Sequence, residues 1–188
     1  MSDAIFTKLT IDGLRDTLQQ IGYRAESLTD PIANVTYLRS STGGIGFDVR
    51  PGNSAADQSG AFSDVALLAI LQVQGDLPLE IVNRWNVGRR FARLQFSKPY
   101  LVLNMDILVA GGTTLSNLRA QIEVWDRLLQ DLIAYLREEL RTLNVNQQAA
   151  PVSATSEQSS QGPQEIQAAK TAAPAAKAST ATTSSSLQ

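Results

Sequence analysis

Neither histidine nor cysteine occurs among the 188 residues, and the two absences remove whole classes of chemistry. Histidine is the usual side chain that changes charge near neutral pH, and the commonest metal ligand. Cysteine supplies thiolate nucleophiles, structural zinc sites and disulfides. Ser-His-Asp and Cys-His catalysis, zinc fingers, histidine-ligated haem and iron–sulfur clusters are therefore excluded. A long apolar run is missing too. The longest, Val65 to Leu71, falls far short of the roughly 20 residues that a spanning helix needs. Strong charge of either sign is also absent, since 16 Lys and Arg face 18 Asp and Glu for a formal net charge of −2. Such a balance exerts no global pull toward nucleic acid or anionic lipid. Met1 to Leu9 hold Asp3 and Lys8 and no apolar stretch of signal-peptide length, so a cytoplasmic protein without a membrane partner is expected. No cofactor and no metal is expected. What survives is carboxylate, lysine or backbone chemistry, or binding without chemistry.

Apolar residues make up 43% of the chain, enough for a sizeable core, and the length suggests one domain with an appendage. Composition changes abruptly near Asn144. From Gln147 to Gln188 the chain is Ala, Ser, Thr, Gln and Pro, with only Glu157, Glu165, Lys170 and Lys177 charged. Such a stretch cannot bury enough apolar surface to offset its ordering entropy. The division expected is a folded domain over 1–146 and a disordered tail over 147–188.

Within the folded part, Thr10 reads as a helix N-cap, and Ile11, Leu14, Leu18 and Ile21 recur at helical spacing up to Gly22. Tyr23 to Leu28 reads as a short strand. Val35 to Ser40 and Ile45 to Arg50 alternate apolar and polar residues around a hairpin turn at Thr42, Gly43 and Gly44. Phe62 to Val73 suits either a central strand or a buried helix, and the neighbouring hairpins favour the strand. Pro78 fits the first turn of a short helix running to about Val87, with Asp76 or Leu77 near its cap. Phe91 to Phe96 and Tyr100 to Val109 follow as strands. After Gly111 and Gly112, Thr113 or Thr114 can cap a final helix. Leu118, Ile122, Trp125, Leu129, Leu132 and Leu136 step by four and three along it, and Leu140 and Leu143 extend the stripe. From Leu115 to Leu143 it would be roughly 43 Å long, longer than a strand of the sheet beneath, so its last turns could meet a partner. The whole reads as an α+β fold, an antiparallel sheet with helices on one face, in the order α-β-β-β-β-α-β-β-α.

Local chemistry concentrates between Glu80 and Asp106, a window without acidic residues. It holds Arg84, Arg89, Arg90, Arg93 and Lys98, interleaved with Trp85, Phe91, Phe96 and Tyr100. Basic groups beside aromatics can grip phosphates and stack bases. Arginine equally suits carboxylates at a protein interface. The plainest alternative is solvated arginines over aromatics that fill the core. Arg84, Arg89, Arg90 and Arg93 are thus the candidate partner-binding residues. Gly43, Gly44 and Gly46, and Gly111 with Gly112, match neither GxxxxGK[ST] nor GxGxxG and read as turn glycines. Asp48 and Asp106 lie in predicted strands, where a carboxylate pair could form, but strand carboxylates usually point to water.

Three stretches together resemble a known family: TIDGLRDTLQQIGYRAE (Thr10 to Glu26), LRSSTGGIGFDVR (Leu38 to Arg50) and VNRWNVGRRFARLQF with LVLNMDILVAGGTT (Val82 to Thr114). They look like the YbjN-type domain, described as a "putative bacterial sensory transduction regulator", whose fold is similar to that of class I type III secretion chaperones. The resemblance spans about Ile5 to Leu143. Trp85, Asn86, Arg89, Arg90 and Phe91 correspond to the family's helix-to-strand segment. Asp106, Gly111 and Gly112 correspond to a strand ending in a glycine turn, and Trp125 to a tryptophan of the last helix. The resemblance carries over no catalytic residue. It implies a non-enzymatic, chaperone-like or regulatory module that binds an as yet unidentified protein partner, with a homodimer as a further expectation. The alternative is a nucleic-acid-linked regulator using the Arg84–Lys98 segment.

Overall fold

Period-two alternation decides which side of a strand meets the core. The computed structural model describes residues 5–56 and 59–149, with side chains as far as residue 143, and builds one large sheet on that rule. In chain order the elements are β1 (Ile5–Phe6), β2 (Leu9–Thr10), α1 (Ile11–Gln20), β3 (Glu26–Thr29), β4 (Thr36–Thr42), β5 (Ile45–Pro51), β6 (Ala61–Phe62), β7 (Asp64–Gln72), α2 (Leu79–Gly88), β8 (Arg93–Ser97), β9 (Tyr100–Leu108), β10 (Thr113–Thr114) and α3 (Leu115–Ala149). Six strands form an antiparallel sheet in the order β3-β4-β5-β7-β9-β8, while β1 with β10 and β2 with β6 make small clasps. The tail expected over 147–188 lies, beyond Ala149, outside the described residues; α3 itself runs past Asn146.

The register separates two faces. Leu38, Val49, Leu67 and Met105 stand side by side across β4, β5, β7 and β9, and all four are buried. Their neighbours in the next row, Arg39, Asp48, Leu68, Asn104 and Arg93, belong to the opposite face. The helices go to the first face. Phe47, in the buried row of β5, meets Tyr23 just after α1 at 6.2 Å and Trp125 of α3 at 5.7 Å. Trp85 of α2 lies 5.5 Å from Tyr135 of α3, whose hydroxyl donates to the Ile81 carbonyl at 2.6 Å. Leu14, Leu18, Ile81, Leu118, Ile122, Leu129 and Leu132 complete this core. Each such side chain contributes roughly 1.5–3 kcal/mol on burial, so the sheet face and helical stripes fold as one layer pair.

Element ends follow local chemistry. Thr10 caps α1, accepting the Gly13 N–H at 3.1 Å, and Thr114 caps α3 by accepting the Asn117 N–H at 3.2 Å. Pro78 sits at the cap of α2, which has no side-chain cap bond. The first long strand starts at Glu26 rather than Tyr23. The Tyr23 N–H is already committed to the Leu18 carbonyl at 2.9 Å, closing α1 through Gly22 at φ 95°. Phe62 to Val73 proves to be strand: β7 has a neighbour on each edge, and partial cover on both faces produces its continuous apolar run. The stretch expected to begin at Phe91 starts at Arg93 instead, because Phe91 has a φ of 73° and cannot extend a strand.

Candidate functional site

The acid-free window of the sequence does not remain acid-free in space. Arg84 reaches Glu139 of α3 at 2.5 Å, Arg89 approaches Asp131 at 3.7 Å, Arg93 reaches Asp106 of β9 at 2.9 Å, and Lys98 reaches Asp76 at 2.5 Å. Arg90 has no carboxylate within 4 Å among the described residues, and lies 5.2 Å from the Phe91 ring. The four candidate arginines therefore diverge. Arg84 and Arg89 turn toward α3, while Arg93 joins the uncovered sheet face. Exposed pairs of this kind are weak in water, so they neutralise the segment without locking it. Its aromatics divide as well: Trp85 is core, Phe96 is half-buried, and Phe91 and Tyr100 are exposed. The reading that these rings fill the core is right for Trp85 and wrong for Phe91.

The uncovered face carries a cluster that sequence reasoning missed. Asp48 was expected to point to water; it is 4% exposed. Its carboxylate accepts from Arg39 at 2.8 and 3.2 Å and from Arg50 at 3.4 Å. Arg50 also reaches Asp30 at 3.2 Å, and the Tyr37 ring lies 4.5 Å from Arg50 and 5.7 Å from Arg39. The hydrogen bond to Asp48 raises the Arg39 pKa further above its ordinary value. The Asp30 carboxyl is held below the ordinary carboxylate range by the N–H groups of Ala33 and Ile32, and then by Arg50. A signal did exist. The Gly43-Gly44 turn pairs Thr42 with Ile45, and counting outward along the hairpin pairs Arg39 with Asp48.

Asp48 and Asp106 are engaged separately, Asp48 by Arg39 and Arg50 and Asp106 by Arg93. No group of three or more metal-ligating side chains occurs among the described residues. Gly43 and Gly44 have φ of 56° and 81° and make the hairpin turn. At its tip the Thr42 hydroxyl donates to Asp126 of α3. Gly46 lacks a side chain on the uncovered face. A shallow cavity of about 440 Å³ opens there, lined by Arg39, Gly46, Asp48, Leu68 and the exposed Ile70.

At one point of the β8 edge a side chain takes the place of a strand. Asn86 of α2 accepts the Leu94 N–H at 2.8 Å and donates to the Leu94 carbonyl at 3.0 Å, as a neighbouring strand would. Replacing it by alanine leaves both backbone groups without a protein partner. Asn86→Ala is expected to cost about 1–3 kcal/mol and to speed hydrogen exchange at the Leu94 amide. Unchanged exchange there would mean that the clamp does not persist in solution.

Comparison with known proteins sets this geometry in context. The model of the YbjN family, "Putative bacterial sensory transduction regulator", matches residues 10–138, which take in both the Asp48 cluster and the Arg84–Arg93 segment. Among solved structures, the fold matches the crystal structure of YbjN, "a putative transcription regulator from E. coli", with a TM-score of 0.53 and 12% identity. The match covers 74% of this chain and 97% of that one. At that identity the likeness is one of fold. No curated protein matches the chain. No helix among the described residues is long and apolar enough to cross a membrane.

Proposed function

The chain belongs to the YbjN family of putative bacterial sensory transduction regulators, and from that premise we propose that it regulates by binding another protein, without catalysis of its own. One observation carries this reading. All three helices cover the same face of the sheet, and on the other face the exposed Ile70, with Leu68, lies beside a preorganised cluster of Arg39, Asp48 and Arg50. An apolar surface rimmed by fixed charges suits a protein partner, the apolar part supplying affinity and the charges register. The chaperone-like role belongs to the same reading. Nucleic-acid binding through Arg84–Lys98 has less support, because carboxylates outside the segment pair with all of its basic groups except Arg90.

Capture from lysate by the full chain, in parallel with and without nuclease, tests the proposal. A stoichiometric protein partner is expected, lost when Ile70→Glu places a charge on the uncovered face without touching the core. Recovery of nucleic acid instead, weakening steeply with salt and lost on substituting Arg89, Arg90 and Arg93 together, would replace this reading with the nucleic-acid one. A homodimer would show as a purified mass of about twice the monomer.

A further inference from the structure

On its β8 side the sheet has a gap in its edge. β7 pairs with β9 as far as Leu108, but β8 pairs with β9 only between Arg93–Ser97 and Tyr100–Asn104. Residues 105–108 of β9 therefore have no strand on their outer side. Strand alternation fixes which backbone groups face the gap. Leu94 turns its N–H and C=O outward to Asn86, so Arg93, Gln95 and Ser97 turn theirs to β9. The even-numbered residues of β9 then face β8. Val109, an odd-numbered one, donates to the Ser63 carbonyl at 2.9 Å on the opposite side. By the same alternation Asp106 and Leu108 present N–H and C=O to the vacant position, where a strand would bind them.

Phe91 creates the gap and furnishes it. Its left-handed backbone, costly for a bulky residue, turns the chain away before β8 begins and leaves the ring 67% exposed. Beneath the gap, between sheet and α3, lies a cavity of about 440 Å³ lined by Phe91, Met105, Asp106, Asn117, Gln121 and Val124. Apolar walls with two amides suit one sizeable aliphatic side chain and its peptide groups. The charge left unpaired beside it is positive, since Asp106 is matched by Arg93. Arg90, with no carboxylate partner among the described residues, lies against the Phe91 ring, and the Arg93–Asp106 pair on the sheet is exposed on both sides.

We infer that the vacant edge of β9 beside Phe91 is a docking slot for an extended peptide segment in which an apolar residue alternates with acidic ones. Main-chain bonds to Asp106 and Leu108 would hold it, the cavity would take the apolar side chain, and Arg90 would select the carboxylates. This rests on the protein-binding reading above and assigns it a position and a partner chemistry.

The test uses the full chain and a short dye-labelled peptide alternating glutamate and leucine, beside its lysine–leucine counterpart. Anisotropy is expected to favour the glutamate peptide by about ten-fold or more, with the Asp106 and Leu108 amides shifting in NMR spectra. Phe91→Gly removes a wall of the slot while easing the backbone, since glycine adopts this φ freely. It should therefore fold as well as the parent and bind about ten-fold more weakly. Arg90→Glu should reduce the preference for glutamate. Equal binding of both peptides, no binding up to about 1 mM, or amide shifts confined to other strands would overturn the inference. So would shifts at Asp106 and Leu108 driven by protein concentration alone, which would assign the slot to a second copy. A lysate partner that is lost with Ile70→Glu but kept with Phe91→Gly would leave the protein-binding reading intact and remove only the slot.

Discussion

Trp125→Ala is expected to cost about 3–5 kcal/mol of stability, a large share of the roughly 5–15 kcal/mol that holds a domain folded. The indole is fully buried on α3 and meets Phe47 edge-on, at 5.7 Å and 65°. Phe47 in turn meets Tyr23 at 6.2 Å. One chain of rings thus ties the exit of α1, the strand β5 and the long helix together. Alanine would leave a cavity that three elements cannot close at once. The indole N–H has no protein acceptor among the described residues. Trp125→Phe, which discards that unpaired donor along with part of the ring, should cost under about 2 kcal/mol. Urea unfolding measures both, as a fall in midpoint at unchanged slope. An alanine variant within about 1 kcal/mol of the parent would show that α3 does not seat on this face.

The Asp48 cluster should respond unequally to losing its acid or its bases. Asp48→Asn keeps the shape and leaves two guanidiniums whose side chains are 53% and 37% exposed, so water can serve them. About 1–2 kcal/mol is the expected cost. Arg39→Met with Arg50→Met does the reverse and strands a carboxylate that is nine-tenths buried. A buried charge without its counterion typically costs about 3–5 kcal/mol. Adding Asp48→Asn to the double variant should then restore most of the loss. That sign of coupling is one a surface ion pair would not give. If the double methionine variant is no less stable than Asp48→Asn, the carboxylate is hydrated in solution and the cluster is only a surface feature.

Periodic features were legible from the sequence. The stripe Leu118, Ile122, Trp125, Leu129 and Leu132 is buried as its spacing required, while Leu136 and Leu143 are half-buried and Leu140 is exposed; the alternation of β9 placed Leu101, Leu103, Met105 and Ile107 inside. Thr10 caps as expected, for a short-range reason, since the bond spans three residues. The hairpin between β4 and β5 could also have yielded the Arg39–Asp48 pair, because a two-residue turn fixes the register on either side. Long-range partners were not legible. Glu139 meets Arg84 across 55 positions, and Asp106 meets Arg93 from the next strand. Nothing in the composition of the segment foretold either. Phe91 shows the same limit. An aromatic beside a strand reads as core, and only the closed fold shows it held at positive φ and turned outward.

By itself, then, the sequence determined the chemistry that is impossible, the kind and order of the main elements, and the side of each helix and strand that had to be buried. Those follow from residue type and from periods of 2 and 3.6, which act over a few residues. Tertiary structure decided where charge is cancelled, that Asp48 is buried and Phe91 exposed, that Asn86 pairs Leu94 on the β8 edge, and that the end of β9 beyond it stays open. These depend on which distant segments the sheet order brings side by side, a quantity set by how the buried faces share one core.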